Sequence, residues 1–379
     1  MNVLIVPDKF KGTLTAQAAA ALIAEGWQRA RPEDRLSLLP MSDGGDGFGG
    51  VLANLSKAEM HSTRTTDAAG RPHEANWWWD ATTDTAIIES AGIIGLALLP
   101  PGKFHPFNLD TSGLGIVLRE AAARGARRFL IGIGGSATND GGFGVARFLG
   151  WRFLKEDGGQ IVDWTGLHSL SRVMPPESSQ PDGKFVVAVD VQNPLLGPTG
   201  ASRIYGPQKG LRPEDFPTAE AALERLAAIT ERDLGMPGAA QEPGTGAAGG
   251  LGFGLRCFLH AKLESGFEIF SRIAKLRGQI RQSDLVLTAE GAIDASTLMG
   301  KGVGEVAAMC REEDVPCIGL AGTLALDGAG EASARLFQHT YGIVPQLTDP
   351  ADARSNPSKW LPELSYLAAS KASTPSVIK

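Results

Sequence analysis

The sequence predicts an α/β protein in which a flavodoxin/Rossmann-like domain, built on a parallel sheet, is interrupted by a second, mixed α/β domain. Three observations support this fold class. A strand, a loop, a helix and a second strand open the chain, the same alternation returns near the C-terminal end, and the stretch between them mixes short strands with helices. Strands that alternate with helices favour a mostly parallel sheet. The 379 residues suffice for two domains.

The opening elements follow from apolar patterning. Residues 3–7 form a β-branched run typical of a buried strand, and residues 14–31 place apolar side chains at helical spacing behind a threonine cap. Residues 36–41 then read as a second strand, which ends at a glycine-rich turn.

The C-terminal part continues the alternation. We predict strands at residues 285–288, 317–321 and 341–344, and helices at residues 302–312 and 329–337. Two strands from the front and three from the back complete a five-stranded, flavodoxin-like sheet. Residues 1–56 and 281–379 are therefore expected to form one domain and residues 57–280 an inserted one, with the active site in the cleft between them.

The predicted insertion contains both strands and helices. Its strands are expected at residues 60–66, 75–79, 86–90, 129–133 and 185–189, and its helices at residues 112–123 and 218–234. This mixture indicates a mixed α/β domain.

Composition excludes several classes of protein. Lys and Arg number 36 against 42 Asp and Glu, without a basic run, which argues against nucleic acid as a partner. No apolar run approaches the roughly 18 residues that span a bilayer, and the N-terminal residues do not resemble a secretory signal. Three cysteines without C-x-x-C spacing fit reduced thiols. We expect a cytoplasmic protein without a membrane partner, and a homodimer remains open.

Charged and glycine-rich loops follow the predicted strands, where ligands bind in open α/β sheets. The first strand is followed by Asp8, Lys9 and Lys11, and the second by Ser42, Asp43 and Asp46 among glycines. Lysines beside a helix start suit an anion. Paired carboxylates suit Mg²⁺, which prefers one or two of them together with phosphate oxygens.

The glycine-rich loop at residues 134–142 is the strongest single signal. It offers many backbone N–H groups, two hydroxyls, an amide and a carboxylate within nine residues, as a polyphosphate site requires. Residues 132–137 also match the dinucleotide pattern G-x-G-x-x-A by spacing. That fingerprint normally opens directly into a helix, whereas residues 139–142 interrupt it here.

Two further groups of polar residues follow later strands. Asp190 ends an apolar strand and is a candidate general base, with Asn193 and Lys209 downstream of it. Glu290 and Asp294 follow the strand at residues 285–288, and Lys301 comes seven residues further on. No G-x-x-x-x-G-K-[ST] motif occurs anywhere in the chain, so a nucleotide site must be of another type.

The ordered motifs together resemble the class I glycerate kinases, from about Val3 to Leu367. The matching segments are residues 7–12, 43–47, 132–142, 190–197, 206–210, 246–252 and 290–301. The chain departs from the family at Lys9, where members commonly have serine, at residues 46–48, where they have Glu-Gly-Thr, and at Ala292, where they have arginine. The resemblance implies a two-domain α/β kinase that uses ATP and Mg²⁺ to phosphorylate D-glycerate, with 2-phosphoglycerate as product.

Roles are predicted for the loop residues on this basis. The catalytic candidates are Asp190, Lys11 and Asp43. The substrate-binding candidates are Asp8, Lys9, Lys11, Ser42, Asn139 and Asn193. The nucleotide-binding candidates are Gly134, Gly135, Ser136, Ala137, Thr138, Asn139, Lys209, Glu290 and Lys301, and the metal ligands are expected among Asp43, Asp46 and Asp294.

Three alternatives remain at this point. One is a kinase for another small hydroxy acid, and a second is a nicotinamide-dependent oxidoreductase that uses residues 132–137, with Asp157 near the spacing of the expected acidic partner. The third is a non-catalytic sensor of a nucleotide or a hydroxy acid.

Overall fold

A computed structural model describes residues 1–45, 47–177, 181–298, 302–325 and 336–372. The strands are β1 (Asn2–Pro7), β2 (Arg35–Leu38), β3 (Glu59–Thr66), β4 (Pro72–Asp80), β5 (Thr85–Glu89), β6 (Arg128–Gly132), β7 (Arg152–Leu154), β8 (Arg172–Met174), β9 (Lys184–Ala188), β10 (Lys262–Glu264), β11 (Leu285–Ile293), β12 (Cys317–Leu324) and β13 (His339–Gly342).

The helices are α1 (Ala16–Ala30), α2 (Phe48–Ser56), α3 (Ala91–Ile94), α4 (Ser112–Ala123), α5 (Phe143–Phe148), α6 (Ala201–Lys209), α7 (Phe216–Leu234), α8 (Ala247–Phe258), α9 (Gly266–Ala274), α10 (Leu276–Arg281), α11 (Ala295–Leu298), α12 (Val303–Glu312), α13 (Ile343–Gln346), α14 (Pro350–Ser355) and α15 (Pro357–Lys371).

The chain divides into two compact units. Unit 1 comprises Met1–Asp43 and Phe267–Lys379, and unit 2 comprises Gly44–Gly266. The domain boundaries predicted from the sequence are 56/57 and 280/281. Residues 48–56 form α2, which packs on β4 and β5 of unit 2, because the Cβ-free face of Gly49 admits the indole of Trp78. That the units are domains with an active site between them stays a prediction.

Unit 1 contains a five-stranded sheet in the order β13-β12-β11-β1-β2. All four pairings are parallel, and the order is the flavodoxin-like one. Its core includes Ile5, Leu287 and Leu320. Helices α1 and α15 pack closely at Gly26, where a Cβ would lie 2.0 Å from the Pro362 carbonyl oxygen. The front and the back of the sequence therefore share one sheet.

The strand β11 is longer than its sequence pattern indicates. It extends to Ile293 because β12 pairs with it as far as Leu324. A Cβ at Gly322 would lie 2.6 Å from the Gly291 carbonyl oxygen, so the two strands approach closely there. Glu290 thus lies within the strand rather than in a loop after it. The predicted helix at residues 329–337 falls mainly outside the described residues.

Unit 2 contains a mixed sheet in the order β10-β9-β6-β5-β4-β3. Strands β3, β4 and β5 are antiparallel neighbours, whereas β5, β6, β9 and β10 run parallel. Strands β7 and β8 pair separately. One core cluster surrounds Ile131 and Val187, and a second one includes the aromatic side chains of Phe143, Phe153 and Phe258. The structure thus confirms the mixed α/β fold class.

Candidate functional site

The loop after β1 is held in place by its own hydrogen bonds. Phe10 is buried, and its N–H donates to the Leu14 carbonyl oxygen at 2.9 Å while the Leu14 N–H returns a bond at 3.0 Å. Asp8 accepts from the Lys9 N–H at 2.8 Å, and the Lys9 ammonium donates to Asp43 at 3.1 Å. This loop therefore fixes a carboxylate and an ion pair at the carboxyl end of β1.

Two more carboxylates come from the end of β11. Glu290 accepts a hydrogen bond of 2.6 Å from the Thr297 hydroxyl. Asp294 accepts from the Thr297 N–H at 3.4 Å, and the Asp294 N–H donates to that hydroxyl at 3.3 Å. Thr297, itself buried, thus connects the two acidic residues.

These groups line one open cavity of about 680 Å³ in unit 1. The predicted site residues that line it are Asp8, Lys9, Lys11, Asp43, Glu290 and Asp294. The rest of the lining comes from the loop after β1, from β11 and β12, and from the helices α13, α14 and α15. The structure therefore brings together predicted residues that are up to 286 positions apart in sequence (294 − 8).

Burial and mutual repulsion perturb two of these carboxyls. Burial, followed by repulsion from Asp43, raises the pKa of Asp8 to about 6, although Lys9 acts in the opposite direction. Burial raises the pKa of Glu290 to about 7, with smaller contributions from Asp8, Asp294 and Asp43 and an opposing hydrogen bond from Thr297. A cation among these groups would relieve the repulsion.

The carboxylates of this cavity fit Mg²⁺, the ion that the resemblance to the glycerate kinases implies. Among the described residues no three His, Cys, Asp or Glu side chains converge at metal-binding distance. Mg²⁺ needs only one or two carboxylates when phosphate oxygens and waters complete its shell. Asp43 and Asp294 would be its ligands here, whereas Asp46 lies outside the described residues. Their role as metal ligands stays a prediction.

The glycine-rich loop of unit 2 lies between β6 and α5. Its N–H groups at Ala137 and Gly141 donate to the carbonyl oxygens of Ile94 and Gly249 at 2.9 and 3.0 Å. Ser136 and Thr138 bond to each other through their hydroxyls at 2.8 Å. Much of the loop's hydrogen-bonding capacity therefore stabilises the loop itself. Its phosphate-binding role, assigned to Gly134, Gly135 and the residues that follow, stays a prediction.

The geometry of this loop argues against the oxidoreductase alternative. After the G-x-G-x-x-A pattern ends at Ala137, helix α5 does not begin until Phe143. The pyrophosphate of a dinucleotide binds at a helix N-terminus placed directly after the pattern. Asp157, the expected acidic partner, instead accepts a local turn bond from the Gly159 N–H at 2.9 Å.

Asn139 of this loop and Lys209 of α6 are both buried. The Asn139 amide donates to the Ser202 hydroxyl at 2.9 Å, and its own side-chain oxygen is buried and has no hydrogen-bond partner among the described residues. The Lys209 ammonium donates to the Thr138 carbonyl oxygen at 2.6 Å. Burial lowers the pKa of Lys209 to about 7, while nearby Asp140 opposes the shift.

Asp190 lies at the carboxyl end of the parallel strands of unit 2. Strands β6 and β9 pair with Gly132 opposite Ala188, so the two chain segments leave the sheet side by side. The Asp190 carboxylate accepts from the Gly266 N–H at 3.3 Å. A Cβ at Gly44 would lie 3.0 Å from that carboxylate, and one at Gly134 would lie 2.9 Å from the Gly45 Cα. Asp190 and the glycine-rich loop thus flank the same turn.

The other predicted residues are distributed more widely. Asn193 accepts from the Tyr205 hydroxyl at 2.6 Å and donates to the Thr199 carbonyl oxygen at 2.7 Å, which holds its amide in place. Ser42 is buried in unit 1 and does not line the cavity. Lys301 lies outside the described residues.

Sequence reasoning missed two acidic residues at this end of the unit 2 sheet. Glu89 ends β5 and accepts from the N–H groups of Gly47 and Gly49 at 2.9 and 3.0 Å, at the start of α2. Its position at the end of a predicted strand was the available signal. Asp140 was noted only as a loop carboxylate, but it is fully buried and bonds to four donors. No local pattern indicates that burial.

Comparisons with known proteins agree on one family. The model of the glycerate kinase family matches residues 3–371. The chain is 35% identical to a glycerate kinase of Bacillus subtilis over 95% of both chains, and 36% identical to a glycerate 2-kinase of Escherichia coli over 86% of both. The crystal structure of a putative glycerate kinase 2 from Salmonella typhimurium superposes with a TM-score of 0.82 at 32% identity and covers 97% of both chains.

Each helix in the described part of the chain is too short or too polar to span a bilayer.

The family match covers nearly the whole chain, and relatives above 30% identity cover more than four-fifths of it. The chain therefore belongs to the glycerate kinase family and is a phosphotransferase that acts on an alcohol group.

Proposed function

We propose that this kinase transfers the γ-phosphoryl group of ATP to the 2-hydroxyl of D-glycerate in a Mg²⁺-dependent reaction, yielding 2-phosphoglycerate and ADP. The unit 1 cavity carries the proposal, because lysines and crowded carboxyls meet there at the carboxyl ends of β1 and β11. The name glycerate 2-kinase, given to the relative from Escherichia coli, supports the choice of hydroxyl.

Phosphoryl transfer requires mainly positioning and neutralisation of charge. When bound, Mg²⁺ would neutralise phosphate oxygens and orient the γ-phosphoryl group. Asp43 and Asp294 would hold it. Lys11, which makes no ion pair among the described residues, is proposed to bind an anionic oxygen of the reactants, and Lys9 is oriented for the same task by Asp43.

Asp190 is proposed to accept the proton of the attacking hydroxyl. The hydroxyl oxygen forms a bond to the γ-phosphorus as the bond to the β-phosphate oxygen breaks, and the proton passes to the Asp190 carboxylate. The bond from the Gly266 N–H fixes the orientation of this carboxylate. The adjacent Gly44, with φ +99°, leaves room that a Cβ would fill.

An ADP-release assay with D-glycerate, ATP and Mg²⁺ tests the proposal. L-glycerate, tartronate and L-lactate serve as comparison acceptors, and excess EDTA should abolish turnover. Added enolase should convert the product directly, with a rise in ultraviolet absorbance, because that enzyme acts on 2-phosphoglycerate. Rapid turnover of another acid with none on D-glycerate would refute the substrate, and a product unreactive towards enolase would refute the choice of hydroxyl.

A further inference from the structure

An arginine that no sequence motif indicates also lines the unit 1 cavity. Arg354 belongs to α14, far along the chain from the glycine-rich loops, yet it lines the same cavity as Lys11, Asp43 and Glu290. Ala292, the position at which the family commonly has arginine, also lines this cavity and offers only a methyl group. A guanidinium thus reaches the cavity from a helix rather than from the end of β11.

The Arg354 side chain is available to a ligand. It is exposed and makes no ion pair or hydrogen bond with the part of the chain that the structure describes. Lys9, by contrast, is already paired with Asp43. An unpaired guanidinium in the lining of a cavity favours the binding of an anion there, because charge-assisted bonds to carboxylate or phosphate are about twice as strong as neutral ones.

The backbone that carries Arg354 is held firmly. Asp349 caps α14 by accepting from the N–H groups of Ala351 and Asp352 at 2.8 and 3.1 Å. The Asp352 carboxylate in turn accepts from the Thr348 hydroxyl at 2.9 Å and from the Trp360 indole N–H at 2.7 Å. Only the arginine side chain would therefore need to be ordered when a ligand binds.

The surroundings of Arg354 favour a small carboxylate. The cavity lining near it in sequence is apolar, from Pro350, Ala353 and Pro357, whereas the acidic groups come from β1 and β11. The acidic side would repel a substrate carboxylate and would attract a cation together with its phosphates. A planar guanidinium matches a carboxylate with two parallel hydrogen bonds, which a lysine cannot provide.

We propose that Arg354 binds the carboxylate of the hydroxy-acid substrate and thereby selects acids over uncharged polyols. This inference deepens the proposed function and rests on it for the identity of the substrate. It makes Arg354 a specificity-determining residue of the unit 1 cavity.

Steady-state kinetics of four proteins test the inference: wild type, Arg354→Gln, Arg354→Lys and the control Arg311→Gln. Arg311 is an exposed arginine of α12 that does not line the cavity. We expect Arg354→Gln to raise the KM for D-glycerate roughly 10- to 50-fold, the effect of losing a charge-assisted bond at a partly solvated site. The KM for ATP should stay within about twofold. The KM of Arg354→Lys for D-glycerate should lie between those of wild type and Arg354→Gln, and the KM of Arg311→Gln should match that of wild type.

Discrimination against glycerol gives a second readout. The ratio of kcat/KM for D-glycerate to that for glycerol should fall in Arg354→Gln by the factor by which the KM for D-glycerate rises. Glycerol has no carboxylate that Arg354 could bind, so its own kcat/KM should not change. An active wild type with an unchanged KM for D-glycerate in Arg354→Gln would overturn the inference. A rise in the KM for ATP alone would overturn it as well, since Arg354 would then serve the nucleotide.

Calorimetric titration with D-glycerate separates this inference from the proposed function. If wild type binds D-glycerate without turning it over and Arg354→Gln binds it at least tenfold more weakly, the kinase reaction fails while the role of Arg354 stands. If wild type neither binds nor phosphorylates D-glycerate, both proposals are refuted.

Discussion

Replacing Asp140 by alanine should destabilise unit 2 more than the same replacement of an exposed aspartate. One of its carboxylate oxygens accepts from the Thr111 N–H at 2.9 Å, the Thr111 hydroxyl at 2.8 Å and the Gly144 N–H at 2.9 Å, and the other accepts from the Gly142 N–H at 3.1 Å. The side chain is fully buried. Asp140 thus connects the glycine-rich loop and the start of α5 to the start of α4.

The expected magnitude follows from these four bonds. Each net hydrogen bond contributes about 1 kcal/mol, and buried donors left without an acceptor cost more, so Asp140→Ala should lower the free energy of unfolding by about 3–5 kcal/mol. Asp140→Asn can keep the oxygen that accepts three bonds, but it turns its amide NH₂ group, a hydrogen-bond donor, towards the Gly142 N–H. Its loss should be about 1–2 kcal/mol.

Urea unfolding followed by tryptophan fluorescence measures the difference. With an m value of about 2 kcal/mol/M, Asp140→Ala should lower the midpoint of the unit 2 transition by about 1.5–2.5 M. Asp157→Ala is the matched control, because Asp157 is exposed and accepts one bond from the Gly159 N–H. A midpoint for Asp140→Ala no lower than that of this control would refute the reasoning.

Three further predictions concern catalysis, pH dependence and backbone conformation. Asp190→Asn should lower kcat by roughly 10²- to 10⁴-fold with the nucleotide KM nearly unchanged, as loss of a general base requires, and an unchanged kcat would remove Asp190 from the mechanism. Burial lowers the pKa of Lys209 to about 7, so between pH 7 and the ordinary lysine pKa near 10.4 the unfolded chain binds a proton that the folded protein lacks. The free energy of unfolding should therefore rise as pH is raised from 7 towards 10.4, and this gain should be lost as pH falls through 7. Denaturant midpoints across this range should show a positive slope that Lys209→Met removes, and an equal slope in both proteins would contradict the buried assignment. Gly249→Ala should lower the free energy of unfolding by at least about 2 kcal/mol, because Gly249 has φ +71° and a Cβ would lie 1.9 Å from the Thr138 carbonyl oxygen. The control Gly278→Ala, whose Cβ would meet nothing within 4 Å, should leave stability equal or slightly higher. Equal losses in the two variants would contradict this prediction.

The sequence by itself determined the α/β class and the loops that carry chemistry. Apolar runs such as residues 3–7 and 285–288 identify buried strands, because a parallel sheet covered by other elements needs continuous hydrophobic segments. Ligand-binding groups then follow at the strand ends. For that reason Asp8, Lys11 and Glu290 were recognised from local sequence, and they do line one cavity.

The tertiary structure decided which polar groups stabilise the fold and which remain available to a ligand. The sequence indicates Asp140 as part of a phosphate-binding loop and Lys209 as a nucleotide-binding candidate, yet both are buried, in contact with Thr111 and Thr138 respectively. Arg354 carries no motif at all and reaches the cavity only because α14 packs beside β12. Local periodicity indicates which residues are buried against their own sheet. The burial of Asp140 and Lys209 and the position of Arg354 depend instead on contacts between segments distant in the chain, which leave no local pattern.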